Sequence, residues 1–239
     1  MRFTYMVDNG RHQFLCIYQG RKNKDDLRKV KHLFNELKPK LKLFFNTQLP
    51  RVNVRLFYER ENFNKYLGKE TKNWEVGFLD YKRRVIGLFA PSVFSYISGR
   101  RREDFLKIFC HELSHLCFLE LTNGSSLPIW LNEGLAYVAS NQLQPLKTRH
   151  FPKGGIFVGI GDYQGWTNFI KHDGYNFAGH FVEFLIKKVG LEAILKVLRI
   201  QFMTYDVQLF KNAFEENTGL KVPSLEQEFK NLMNLQSNN

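Results

Sequence analysis

Two histidines four residues apart, His111 and His115, with Glu112 directly after the first, form the pattern H-E-x-x-H. The pattern lies in an apolar stretch, Phe105 to Leu121, whose composition predicts a helix. On a helix, residues four apart lie one above the other on the same face. His111 and His115 can then offer two imidazole nitrogens to one metal ion, with Glu112 beside them, in reach of a water on that metal. Two ligands and a base are most of what metal-assisted hydrolysis requires. The competing structural reading is a buried helix with two satisfied histidines.

A third ligand is predicted downstream. Thr122-Asn123-Gly124-Ser125-Ser126 has the composition of a turn. Pro128 suits the opening turn of a second helix, and that helix carries Trp130-Leu131-Asn132-Glu133-Gly134-Leu135-Ala136. From His115 to Leu121 the first helix climbs about 9 Å, and from Pro128 to Glu133 the second descends about 7.5 Å, at 1.5 Å per residue. Glu133 should therefore return to the level of the histidines. A metal would compensate a carboxylate buried there, and two His plus one Glu leave a fourth position open for water.

His111-Glu112-x-x-His115 followed by Asn132-Glu133-Gly134-Leu135-Ala136 resembles the gluzincins, the thermolysin-like zinc peptidases. The likeness is closest to the peptidase MA-like domains related to the aminopeptidase N catalytic domain. It extends to Tyr175-Asn176-Phe177-Ala178-Gly179-His180-Phe181, where a tyrosine opens a downstream helix as in those enzymes. It covers roughly residues 50 to 232, strongly at the metal motif and weakly elsewhere. The resemblance implies one Zn²⁺ per chain, held by His111, His115 and Glu133. It also implies Glu112 as general base and Tyr175 as donor to the oxyanion. One departure is visible. Aminopeptidases hold the substrate's free amine with a G-A-M-E-N segment before the zinc helix, and the stretch taken to correspond, Gly87-Leu88-Phe89-Ala90-Pro91, has no carboxylate. Aminopeptidase specificity is therefore not implied.

The expected chemistry is peptide hydrolysis. A bound zinc brings the pKa of its water toward about 7, Glu112 takes the proton as the water attacks the carbonyl and returns it to the leaving amine, and Tyr175 donates to the developing oxyanion. His180, on the same helix as Tyr175, reads more simply as a core or surface histidine. Two other functions fit the same residues: a regulatory intracellular protease with one specific protein partner, and a catalytically silent gluzincin-fold binding module. The intact Glu112 argues against the second, because a scaffold has no use for the base.

Elements that must position these groups are legible along the chain. Phe3 to Val7 and Gln13 to Tyr18 flank Asp8-Asn9-Gly10, a hairpin signal. Asn23 to Phe45 reads as a helix with a kink or break at Pro39. Val52 to Tyr58 alternates as a half-buried strand, and Glu61 to Leu67 suits a short helix. Glu75 to Phe89 reads as a hairpin turning near Asp80 to Arg84. An edge strand in this region could pair with an extended substrate through main-chain hydrogen bonds. Residues 145–174, rich in Gly, Pro and aromatics, read as loop. Four helices follow, near 175–189, 191–203, 206–217 and 224–235. The fold class is α+β and zincin-like: an N-terminal mixed β-sheet with helices, an HExxH active-site helix and a helical C-terminal lobe. The chain is expected to be a single peptidase domain over 1–239, with an α/β lobe at 1–100, a zinc-binding helix pair at 101–141 and a mainly helical lobe at 142–239.

At 239 residues the chain can bury a full core, and 44% apolar and 15% aromatic residues make it globular rather than disordered. No apolar run reaches membrane-span length, and Met1 to Asp8 has no apolar core of signal-peptide length. The expectation is a cytoplasmic protein. Three cysteines, Cys16, Cys110 and Cys117, form an odd, sparse set that suits a reducing compartment. Cys110 adjoins His111 but points about 100° away on a helix, so it is expected in the core. The net charge of +12 is uneven: residues 1–120 hold 24 Lys+Arg against 13 Asp+Glu, and residues 121–239 hold 11 against 10. Such asymmetry suits nucleic acid, an anionic surface or an acidic substrate. No nucleic-acid motif accompanies it, so the partner expected is a peptide or protein substrate.

Overall fold

The computed structural model describes residues 3–7, 14–19, 23–148, 150–200 and 205–236. The strands are β1 (Phe3–Val7), β2 (Phe14–Gln19), β3 (Val52–Phe57), β4 (Gly77–Asp80) and β5 (Val85–Phe89). The helices among them are α1 (Lys24–Phe45), α2 (Arg60–Leu67), α3 (Phe94–Ser98), α4 (Asp104–Leu121) and α5 (Ile129–Ala139). They continue as α6 (Ile156–Gly159), α7 (Tyr163–Phe169), α8 (Gly174–Val189), α9 (Leu191–Leu198), α10 (Val207–Thr218) and α11 (Val222–Gln236). A 3₁₀ turn, Ile170–His172, joins α7 to α8. The protein is mixed α+β, and among the described residues no helix is long and apolar enough to cross a membrane.

Two compact units emerge, Met1–Cys117 and Phe118–Asn239. The division falls inside the continuous helix α4.

The first unit is built on a five-stranded sheet of order β1-β2-β3-β5-β4. Its middle pairs, β2–β3 and β3–β5, are parallel, and the flanking pairs, β1–β2 and β4–β5, are antiparallel. The expected N-terminal hairpin is present as strands, while its Asp8-Asn9-Gly10 turn lies outside the described residues. On β3, Val52, Val54 and Leu56 are fully buried, alternating with half-buried Asn53 and Arg55, as period-two patterning requires. The hairpin β4–β5 turns through residues 81–84, where Arg84 takes a left-handed φ of 52°. β4 stands at one end of the sheet order and is an edge strand, with β1 at the other end. β5 is paired on both sides, with β3 and β4.

Helix α1 runs without interruption through Pro39, contrary to the expected break. Asn23 caps it by accepting from the backbone N–H of Asp25 and Asp26. Its buried face, Val30, Phe34, Leu37, Leu41 and Phe45, spans both sides of the proline. Apolar burial of about 1.5–3 kcal/mol per large side chain offsets a proline cost of about 3 kcal/mol. Asp26 is buried on the same helix and ties it to Ser92, accepting from the Ser92 backbone N–H at 2.9 Å and hydroxyl at 2.7 Å.

In the second unit every regular element among the described residues is helical. The segment expected as loop instead holds α6 and α7. Asp162 caps α7 by accepting from the Gly165 N–H, and Glu226 of α11 accepts from the N–H groups of Ile156 and Phe157 at 2.7 and 2.9 Å. Trp130 of α5, Phe157 and Phe181 of α8 form one aromatic cluster, which explains how so short a helix as α6 is held. Helix α9 ends at Leu198, earlier than expected.

Candidate metal centre

Helix α4 starts at Asp104, whose carboxylate lies in the first turn, where the helix dipole favours it. It ends where Asn123 and Gly124 adopt positive φ and the Gly124 N–H donates to the Leu119 carbonyl at 2.8 Å. Almost every residue from Phe109 to Leu119 is buried, so α4 is a core helix and its polar groups sit inside the protein. His111 is 9% exposed, Glu112 6%, Ser114 1% and His115 4%. Ser114 is accounted for within the helix: its hydroxyl donates to the Cys110 carbonyl at 2.8 Å.

The two histidines converge. His111 Nε2 and His115 Nε2 stand 3.1 Å apart, with the rings nearly perpendicular at 89°. Two nitrogens each about 2.0–2.1 Å from one tetrahedral ion are roughly 3.3 Å apart. The pair is thus spaced for a shared metal. One ligand atom each of His111, His115 and Glu133 lies within 4.8 Å of the other two, the one such group among the described residues. Two imidazoles and a carboxylate form a donor set suited to a catalytic zinc.

Glu133 is placed by the packing of α5 on α8. Gly134, its neighbour, lies against Ala178 and Val182. A Cβ there would come within 2.6 Å of the Ala178 carbonyl oxygen and 2.4 Å of Val182 Cγ2. Gly179 does the same from α8: a Cβ there would meet the Tyr137 Cβ at 3.0 Å and Leu143 Cδ2 at 2.5 Å. The small residues let the two helices approach closely and fix the rotation of α5. Buried Asn132 donates to the Ser126 carbonyl at 3.2 Å and so ties α5 to the turn that leads into it.

Tyr175 sits in the first turn of α8. Its ring stacks on Tyr137 at 6.0 Å and 8°, and meets Trp166 edge-on at 5.3 Å. Tyr137 lies four residues after Glu133, on the same face of α5. Tyr175 therefore packs against a residue of the α5 face that carries Glu133. His180 is engaged elsewhere, with Nε2 2.7 Å from the Gln144 carbonyl oxygen. Cys110 and Cys117 are buried and not disulfide-bonded. Burial pushes the Cys110 thiol up to about 11, against a smaller lowering by Ser114, so at neutral pH it is a thiol in the core.

Glu112 packs against the edge strand. Its Oε1 lies 2.8 Å from where a Cβ on Gly77 would be. Tyr81, immediately after β4, has its ring 6.4 Å from that of His115. Sequence patterning gave no signal for Gly77 or Tyr81, because both contacts are made across more than thirty residues. The stretch 87–91, compared above with an amine-binding segment, begins in β5, which is interior to the sheet. The edge on that side of the sheet is β4, and it ends in a carboxylate, Asp80. Burial pushes Asp80 up, but hydrogen bonds from the Arg83 side chain and backbone and from Tyr66 outweigh it and hold the group below the usual carboxylate range.

No protein-family model matches the chain, and no curated protein matches it either.

Proposed function

We propose that the protein is a zinc-dependent peptidase of the gluzincin type, hydrolysing peptide bonds with Glu112 as general base. The observation that carries the reading is the convergence of His111, His115 and Glu133 within 4.8 Å, with Glu112 on the same buried helix as the two histidines. His111, His115 and Glu133 would hold the ion. Zinc supplies Lewis acidity, acidifying a water and polarising the scissile carbonyl. Glu112 accepts the proton of the attacking water and delivers it to the leaving amine. Tyr175 donates its hydroxyl hydrogen to the oxyanion, from a ring packed against Tyr137 and Trp166. The edge strand β4 offers main-chain groups to an extended substrate.

The ligand assignment is tested by elemental analysis of protein purified without chelator or affinity metal. Wild type is expected to carry one zinc per chain, and His115→Ala and Glu133→Ala much less. Equal metal in all three proteins would refute the ligand set.

A further inference from the structure

We infer that Gly77 is a positioning residue for Glu112: its missing side chain reserves the space that the Glu112 carboxylate occupies. A Cβ at Gly77 would stand 2.8 Å from Glu112 Oε1, 3.0 Å from Ile108 Cγ2 and 3.0 Å from Leu88 Cδ2. Real Cβ atoms do not approach other heavy atoms below 3.0 Å, so something must shift. The backbone does not itself require glycine, because Gly77 is not among the glycines with left-handed φ. Space is what its lack of a side chain provides.

The strand cannot readily retreat from a new methyl group. Gly77 is paired with Leu88 in the β4–β5 ladder. The segment before it is clamped by Arg60, which donates through Nη1 to the Thr71 hydroxyl at 3.2 Å and to the carbonyls of Lys72 at 3.1 Å and Glu75 at 2.7 Å. The guanidinium itself lies 4.6 Å above the Phe89 ring. Val76, next to Gly77, is 2% exposed and anchored in the core. Leu88 and Ile108 are also buried and have little room. The part free to yield is the far end of the Glu112 side chain. An added methyl group at position 77 therefore swings the carboxylate aside while His111 and His115 stay where α4 holds them.

The kinetic consequence rests on the peptidase reading, whereas the steric coupling of Gly77 to Glu112 does not. The test uses four full-length proteins: wild type, Gly77→Ala, Glu112→Ala and the double variant. Thermal unfolding and zinc content are measured for all four, and kcat and KM on a cleaved peptide for wild type and Gly77→Ala. Gly77→Ala is expected to lower Tm modestly in the wild-type background and by less in the Glu112→Ala background, where truncating Glu112 removes the shortest contact and only those with Ile108 and Leu88 remain. Zinc content should match wild type. On the peptide, kcat should fall about a hundredfold, the scale of an ångström-sized misplacement, with KM changed less than about threefold. Equal Tm losses in both backgrounds would overturn the inference, as would an unchanged kcat. Tm coupling in a wild type that cleaves no peptide would support the placement of Glu112 by Gly77 and count against the peptidase reading alone. If Gly77→Ala does not fold but the double variant does, that recovery is itself the coupling; failure of both would overturn it.

Discussion

At the scale of residues, the proposed chemistry rests on a few side chains, most of them on one core helix. His111 and His115 meet at their Nε2 atoms because a four-residue step on α4 leaves them on one face. Buried polar side chains need compensation, and two imidazoles with a carboxylate supply it collectively when they share an ion. Tyr175 is the residue whose role is easiest to separate from binding. Tyr175→Phe keeps the ring that stacks on Tyr137 and Trp166 and removes only the hydroxyl. Steady-state kinetics should show kcat reduced by about a hundredfold or more, with KM and metal content nearly unchanged. An unaltered kcat would leave Tyr175 a packing residue. The grouping of His111, His115 and Glu133 was legible in the sequence because H-E-x-x-H and N-E-G are local patterns whose spacing maps directly onto helix geometry. Gly77 and Tyr81 were not, since they reach α4 only through the path of the sheet. A glycine that leaves space for a distant side chain looks in sequence like any other glycine.

At the scale of elements, the decisive unit is α4, its turn and α5. Turn composition and helix rise were enough to bring Glu133 back toward the histidines. The alternation on β3 and the hairpin β4–β5 were equally readable, because period-two burial and turn residues are local. Of the kink or break expected at Pro39, the break is absent: it is overridden by a continuous buried face that only tertiary packing reveals. The short helix α6 was hidden for a related reason, being held by Glu226 and by the Trp130 ring from distant segments, whereas α7 has a local cap in Asp162 that the glycine- and aromatic-rich composition of the segment masked. The α5–α8 contact supplies a further expectation. Gly134→Ala would place a methyl carbon 2.6 Å from the Ala178 carbonyl oxygen, and a backbone atom cannot rotate away. α5 must shift, and Glu133 with it. Overpacking of this kind costs about 1–3 kcal/mol, so Tm should fall and zinc affinity, measured by competition with a chromogenic chelator, should weaken. Unchanged Tm and affinity would mean that the close approach does not set the position of Glu133.

At the scale of the whole molecule, charge adds what the site alone does not provide. The excess of cations lies almost entirely in residues 1–120, which include β4 and both histidines. Exposed charges attract oppositely charged peptides and are screened within about 8–10 Å at physiological ionic strength. Acidic peptides should therefore be cleaved with higher kcat/KM than matched basic ones at low salt, with the difference shrinking as salt rises; equal rates at all salt concentrations would show that this charge serves solubility instead. The central claim is a division of labour between ligands that hold metal and a base that moves a proton. Its most direct test is cleavage of a mixed peptide library by wild type and Glu112→Gln, each with its zinc content measured in the same preparation. The expected result is turnover by wild type and loss of turnover in Glu112→Gln at equal zinc. Cleavage by Glu112→Gln at the wild-type rate, or no cleavage by zinc-loaded wild type, would contradict the account.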